Sequence, residues 1–262
     1  MKPQTWQTNI TRIRENEILV KGYPIEDLMG QRSFAETFYL LIKGELPTRN
    51  IARVLDAILI SSVDHGVTPP SCQTAILSAS TGAALNGALA AGILSINEFH
   101  GGAIADSMRL LKSAINLMKT TSMSVPDAAA AIVDDHLTHR KKLMGYGHRV
   151  HSNDPRTQKL FDIATENGVA SVHVEMCLAI RDALQERGKS LPVNVDAAIA
   201  ALLCELDFPE TLANAFFIIS RLPGLVAHIL EEKSRYKPMR KIDFAMAEYD
   251  GPEKRQIPDT EE

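Results

Sequence analysis

Residues 33–46 read SFAETFYLLIKGEL, and they mark where this chain stops looking like strand and starts looking like helix. Ser33 is a natural N-cap and Glu36 stands three residues later. Each side chain can therefore satisfy a backbone N–H that the first helical turn leaves unpaired. Pro47 ends the segment. Upstream, NITRIREN (9–16) and EILVKGY (17–23) are short, β-branched and roughly alternating, which predicts a small hairpin. Downstream, helical periodicity predicts helices over about 50–64, 71–95, 104–120, 126–143, 155–167, 170–187, 193–206 and 209–231. Alanine runs such as DAAAAIV (127–133) and DAAIAALL (196–203) favour helix and let helices approach closely. The expected fold is all-α with a small N-terminal β-hairpin.

With 262 residues, 45% hydrophobic and 23% charged, the composition is that of a globular protein able to bury a sizeable core. A net charge of −4 supplies no global basic field, so no nucleic-acid partner is expected. Cys72, Cys177 and Cys204 form neither a CxxC pair nor an even framework, which predicts reduced thiols in a cytoplasmic protein. The N-terminal stretch MKPQTWQTNITRIREN has no apolar signal core. LANAFFIISRLPGLVAHIL (212–230) is apolar but contains Arg221, Pro223 and His228, so it reads as a core helix and no membrane partner is expected.

The breaks between helices carry the chemistry. HGVTPP (65–70), FHGGA (99–103), MGYGHRVHSNDP (144–155), RGKSLPVNVD (187–196) and SRLPG (220–224) each set a titratable or cationic residue beside glycine or proline. GYGHRV lacks the third glycine and the preceding strand of a dinucleotide fingerprint, and no Walker pattern occurs. His136/His139 and His148/His151 have i,i+3 spacing without a supporting carboxylate or cysteine set, so no metal is expected. DDHLTHRKK (134–142) reads as a solvated helix face. There is no GxSxG elbow or cysteine–histidine signature.

What is left is a distributed set. His100, at a predicted helix start, is either a capping residue or a neutral hydrogen-bond donor to an oxygen gaining negative charge. His148 lies between Gly147 and Arg149, where the backbone can approach a ligand and the ring titrates near neutrality. Arg156 and Arg221 are either structural salt-bridge partners or bidentate carboxylate binders. Asp196 is either a first-turn acid or, if partly buried, a base of raised pKa. His65 is either a helix-end dipole partner or a member of the same site. Taken together they propose proton transfer beside a polycarboxylate.

The order of these phrases resembles the citrate synthase superfamily. VKGYPIEDLMGQRSFAETFYLLIKGELPT (20–48), DHG (64–66), HGGA (100–103), GYGHRV and DPR (145–156), VNVD (193–196) and SRLPGLVAH (220–228) follow in family order over most of the chain. The resemblance implies a mainly helical fold with a large domain built from residues 1–102 and 200–262, and a small domain over 103–199. It implies that His100 polarises an acyl-CoA thioester carbonyl and that Asp196 removes the α-proton. His148 would move the proton on the keto oxygen of a 2-oxo acid such as oxaloacetate. His65, Arg156 and Arg221 would hold that acid's carboxylates, and Gly145, Tyr146, Gly147 and Arg149 would lie against coenzyme A. No covalently bound cofactor is implied, since the coenzyme A thioester is a substrate.

In length, and in its DHG and GHRV phrases, the chain is closest to the citryl-CoA lyase module of ATP-citrate lyase. Ile104 stands where synthases often carry asparagine. The implied reaction is cleavage of citryl-CoA to acetyl-CoA and oxaloacetate, with citrate or methylcitrate synthesis as the alternative. A non-catalytic, coenzyme A-binding regulatory paralogue is the reading from a different class. A homodimer or higher homo-oligomer is also implied, with Arg235 or Lys237 completing a neighbouring subunit's site.

Overall fold

The computed structural model describes residues 6–147 and 154–240. The predicted hairpin is present as β1 (Thr11–Arg14) and β2 (Glu17–Val20), paired antiparallel with Thr11 opposite Val20. Lys21 and Gly22 then adopt positive φ (49° and 89°) and fold the chain back. This adds a two-residue β3 (Tyr23–Pro24) on the far side of β2. After the short α1 (Ile25–Leu28), α2 (Phe34–Lys43) opens on the capping box read from the sequence. Ser33 Oγ accepts from Glu36 N at 3.2 Å, and Glu36 Oε2 accepts from Ser33 N at 2.8 Å. Gly44, at φ 88°, ends the helix in the left-handed conformation that glycine tolerates.

α3 (Arg49–Ser61) follows, and then the first departure from the periodicity. The single helix expected over 71–95 is two, α4 (Pro70–Ser80) and α5 (Leu85–Leu94). Gly82 takes φ 96° between them, so the chain reverses and the two helices pack as a hairpin. Gly92 allows the close contact, since a Cβ there would lie 3.0 Å from the Ser71 carbonyl.

The remaining helices are α6 (Ala103–Thr121), α7 (Val125–Thr138), α8 (Pro155–Glu166), α9 (Val172–Glu186) and α10 (Val195–Glu205). A 3-10 turn over Glu210–Leu212 leads into α11 (Ala213–Arg235). α10 is the central rod. Its residues from Ala197 to Leu203 are all buried, against Met108 and Leu111 of α6 and Met176 and Ile180 of α9. A second cluster joins Cys72, Ile76 and Ala79 of α4 to Leu225 and Ile229 of α11.

Among the described residues, the helical stretch Glu210–Arg235 is the one long and apolar enough to span a membrane by length and composition. Its buried face, however, carries Arg221 and Glu232 and packs on α3, α4 and α5, as the sequence predicted for a core helix. The three cysteines are free and buried. Burial pushes the Cys72 thiol up to about 11 and those of Cys177 and Cys204 to about 12.

Candidate active site

Arg221 sits near the middle of α11 and is only 3% exposed. Its Nε donates to the Ser62 carbonyl at 2.9 Å and its guanidinium lies over the Phe217 ring. Its buried Nη1 has no hydrogen-bond partner among the described residues. Burial lowers its pKa from the ordinary arginine value, against the raising charges of Asp64 and Asp196. Arg156, in the first turn of α8, donates from Nε (3.0 Å) and Nη2 (2.8 Å) to the two oxygens of Asp154, the buried N-cap of that helix. Its Nη1 reaches the Ser61 carbonyl at 3.4 Å. Two consecutive carbonyls at the C-terminal end of α3 thus receive two guanidiniums, where the helix dipole is negative.

His100 lies in the turn between α5 and α6. The Asn97 carbonyl accepts from both His100 N (3.0 Å) and Gly102 N (3.1 Å), and Gly101 holds φ 97° between them. A Cβ on Gly101 would stand 2.8 Å from Ile96 Cγ2, so the turn requires glycine. The cap of α6 is Gly102, so the capping reading of His100 does not hold. The ring packs edge-on to Phe217, with Nε2 2.8 Å from Ser71 Oγ at the start of α4. Burial first, and then the charge of Arg221, hold its pKa below the ordinary histidine value. A neutral ring accepting from the Ser71 hydroxyl at Nε2 keeps its proton on Nδ1, which is then a hydrogen-bond donor.

Asp196 is the second residue of α10, and Asn194 rather than Asp196 is the cap. Asn194 Oδ1 accepts from Asp196 N (3.0 Å) and Ala197 N (3.2 Å). Asp196 is half-buried, and its carboxylate accepts no hydrogen bond among the described residues. Burial pushes its pKa above the ordinary aspartate value, Arg156 and Arg221 pull it back, and Asp154 adds to the rise. The charges of both arginines act on Asp196, and that of Arg221 acts on His100. His100, Asp196, Arg156 and Arg221 are therefore one electrostatic cluster, assembled from four separate breaks in the sequence.

The segment 145–147 is tied to the same helix. Gly145 O accepts from Asn194 N at 3.0 Å, Gly147 N donates to Pro192 O at 2.7 Å, and Tyr146 pairs with Val193. Asn194 Nδ2 also donates to Gly147 O at 3.0 Å. Gly145 holds φ 90°, and a Cβ there would come 2.5 Å from Ala197 Cβ. The Tyr146 ring turns inward, its hydroxyl donating to the Cys177 carbonyl at 3.1 Å. His148 and Arg149 lie outside the described residues.

His65 is exposed in the segment after α3, which ends at Ser61 rather than at 64. Its neighbour Asp64 accepts from Gly66 N at 2.9 Å and pairs with His228 Nε2 at 3.0 Å. Burial raises the Asp64 pKa, but these bonds and the His228 charge outweigh it and hold the carboxyl below its ordinary value. Beside Asp64 and Arg156, a cavity of about 770 Å³ runs between α3 and α8 over Ala57, Ile60, Leu160 and Ile163. Arg235 is paired with Glu231, and Lys237 is exposed beyond α11.

Sequence reasoning missed Ser71, Asp154, Asn194 and the Asp64–His228 pair as parts of the site. Asp154 and Asn194 were readable as caps, because Asp or Asn immediately before a helix start is a capping signal. Ser71 carries no local signal, and His228, though it closes the SRLPGLVAH phrase, carries none that points to Asp64. Their partners are 29 and 164 residues away in sequence.

The chain matches the family model described as citrate synthase, C-terminal domain, over residues 3–52 and 47–241. It is 30% identical over 224 residues to the citrate synthase of Haloferax volcanii, covering 80% of this chain and 56% of that protein. It thus spans a little over half the length of that curated relative. The solved structure of citryl-CoA lyase from Hydrogenobacter thermophilus aligns with a TM-score of 0.88 at 40% identity, covering 97% of this chain and 98% of that one. The Thermoplasma acidophilum citrate synthase, solved as a ternary complex with carboxymethyl coenzyme A and oxaloacetate, aligns with a TM-score of 0.67 at 25% identity, covering 87% of this chain and 60% of that one.

Proposed function

Because the chain belongs to the citrate synthase family, we propose that it breaks or forms the carbon–carbon bond between an acyl-CoA enolate and a 2-oxo acid, chiefly as a citryl-CoA lyase. The observation that carries the direction is the stronger structural likeness to a lyase. The Hydrogenobacter citryl-CoA lyase aligns with a TM-score of 0.88 at 40% identity, whereas the Thermoplasma citrate synthase aligns with 0.67 at 25%.

In cleavage, His148 takes the proton of the tertiary hydroxyl of citryl-CoA. The oxygen's electron pair becomes the keto C=O of oxaloacetate as the C–C bond breaks. The bond's electrons pass into the thioester, whose oxygen is stabilised by His100 Nδ1–H. Asp196 returns a proton to the enolate carbon and so releases acetyl-CoA. Its raised pKa supports this role, because the acid must be protonated before the step and ionised after it. Arg156, Arg221 and His65 would hold the carboxylates of the departing oxaloacetate. The buried Nη1 of Arg221 and the 3.4 Å bond from Arg156 to Ser61 leave both guanidiniums with donor capacity to give. Residues 103–199 would close as a small domain over the site and exclude water that would otherwise hydrolyse the thioester. A second copy of the chain would bring Arg235 or Lys237 to its neighbour's site.

The curated likeness to citrate synthases favours synthesis as the second reading, and the thioester separates the two. A lyase leaves it intact, whereas a synthase hydrolyses it. The lyase reading expects supplied citryl-CoA to be cleaved without release of free thiol. Rapid thiol release from acetyl-CoA and oxaloacetate would overturn it in favour of the synthase.

A further inference from the structure

Beyond the last turn of α3, the chain is neither helix nor strand until Pro70. Three consecutive residues of this segment are held by successive turns of one face of α11. Ser62 O accepts from Arg221 Nε at 2.9 Å. One turn on, Gly224 lies against the next residue. A Cβ there would run into the Val63 carbonyl and come within 2.9 Å of Asp64 Oδ1, so the helix can approach this closely only on glycine. One turn further, His228 Nε2 lies 3.0 Å from Asp64 Oδ1. Residues 221, 224 and 228 recur at helical spacing and so form one stripe. The other Asp64 oxygen accepts from Gly66 N at 2.9 Å, which closes a tight turn with His65 at its centre.

We propose that His228 is a positioning residue. By gripping Asp64 it fixes the turn that presents His65, and so sets the carboxylate-binding end of the site. The inference rests on the reading of His65, Arg156 and Arg221 as carboxylate binders given above. His228 touches no substrate in this scheme and acts only through Asp64. What the geometry requires of it is one N–H donor, aimed across the loop from a partly shielded position: its side chain is 14% exposed. A glutamine amide can supply that donor at similar reach, and a leucine of similar bulk cannot.

The test compares wild type, His228→Gln and His228→Leu in the full chain by two readouts. Hydrogen exchange of the amides in 63–67 reports the clamp. Calorimetric affinities for oxaloacetate and for coenzyme A report the site. In His228→Leu the exchange rate should rise, and oxaloacetate should bind about tenfold more weakly, the usual effect of losing one hydrogen bond to a charged group. Coenzyme A affinity should stay within about twofold, as a local change distant from its contacts predicts. His228→Gln should recover most of both losses.

Unchanged exchange in His228→Leu would overturn the clamp. Faster exchange with unchanged oxaloacetate affinity would overturn the role of the turn in carboxylate binding and leave the clamp as a feature of the fold. Equal weakening of both ligands, with no recovery in the glutamine variant, would reduce His228 to general packing and overturn the proposal. A wild type that binds coenzyme A but no oxaloacetate would overturn the carboxylate reading itself, with the exchange data still judging the clamp.

Discussion

The two ends of α10 each carry a half-buried carboxylate, and the two behave in opposite ways. Glu205, in the last turn, accepts backbone N–H bonds from Ser171 (2.8 Å), His173 (2.9 Å) and Val174 (3.1 Å), and lies 3.0 Å from His173 Nδ1. Asp196, in the first turn, accepts none among the described residues. Burial pushes both acids up. For Glu205 the His173 and backbone donors reverse the push and hold the carboxyl below its ordinary value. For Asp196 the more distant charges of Arg156 and Arg221 only soften it. Burial pushes both acids upward, and adjacent donors decide whether an acid becomes a structural anion or remains able to take and release a proton.

Replacing the two acids separately tests this contrast. Asp196→Asn should have the largest effect. Exchange of acetyl-CoA α-protons in deuterated water should fall by about 10³-fold, the usual scale for a lost general base. The same change should raise the Tm by about 2 °C or more, because it removes a half-buried charge that accepts no hydrogen bond among the described residues. An active but less stable Asp196→Asn protein would break the comparison. Glu205→Ala should do the reverse, costing about 2–3 kcal/mol in denaturant unfolding through its lost charge-assisted bonds while sparing turnover. Ser71→Ala, which removes the partner of His100 Nε2, should slow cleavage about tenfold with little change in citryl-CoA KM, as expected for one hydrogen bond orienting a catalytic group.

The smallest effect is in the pH dependence. The Asp196 pKa is raised on folding, so its destabilising contribution is fully present above the raised value and fades as pH falls toward the ordinary aspartate range. The stability gap between Asp196→Asn and wild type should therefore close in acid. The Glu205 pKa is depressed, so its stabilising contribution is present above the ordinary glutamate value. That contribution is lost as pH falls through the depressed value, and the gap between wild type and Glu205→Gln should close there too, from the opposite sign. Equilibrium unfolding from pH 7 downward checks both, and gaps of the same sign would blunt the comparison.

The parts of this molecule legible in its sequence are those governed by neighbours a few residues apart. The Ser33–Glu36 box, the β1–β2 hairpin and the start of α8 at Pro155 are local hydrogen-bond and backbone preferences written directly in residue order. The break at Gly82 was not legible, because alanine and leucine on both sides favour helix and only packing of α4 and α5 onto α11 selects the reversal. The residues of the site were legible as types at helix breaks, since glycine and proline beside histidine or arginine are visible without a structure. Their partners were not. Asn194 was readable as a cap, but nothing near Asp196 indicates that its own carboxylate would accept no hydrogen bond among the described residues. Nothing near His100 points to Ser71 either.

The grip of α11 on the segment after α3 has a kinetic consequence. The bonds Arg221–Ser62 and His228–Asp64 span 159 and 164 residues of chain. Contacts this far apart in sequence carry a large loop-closure entropy and are made late during folding. Local helices and the α4–α5 hairpin can form early, whereas the segment 62–64 waits for α11 to dock. In refolding experiments, helical signal should return before ligand-binding competence, and the interval between them would time the arrival of α11 at residues 62–64.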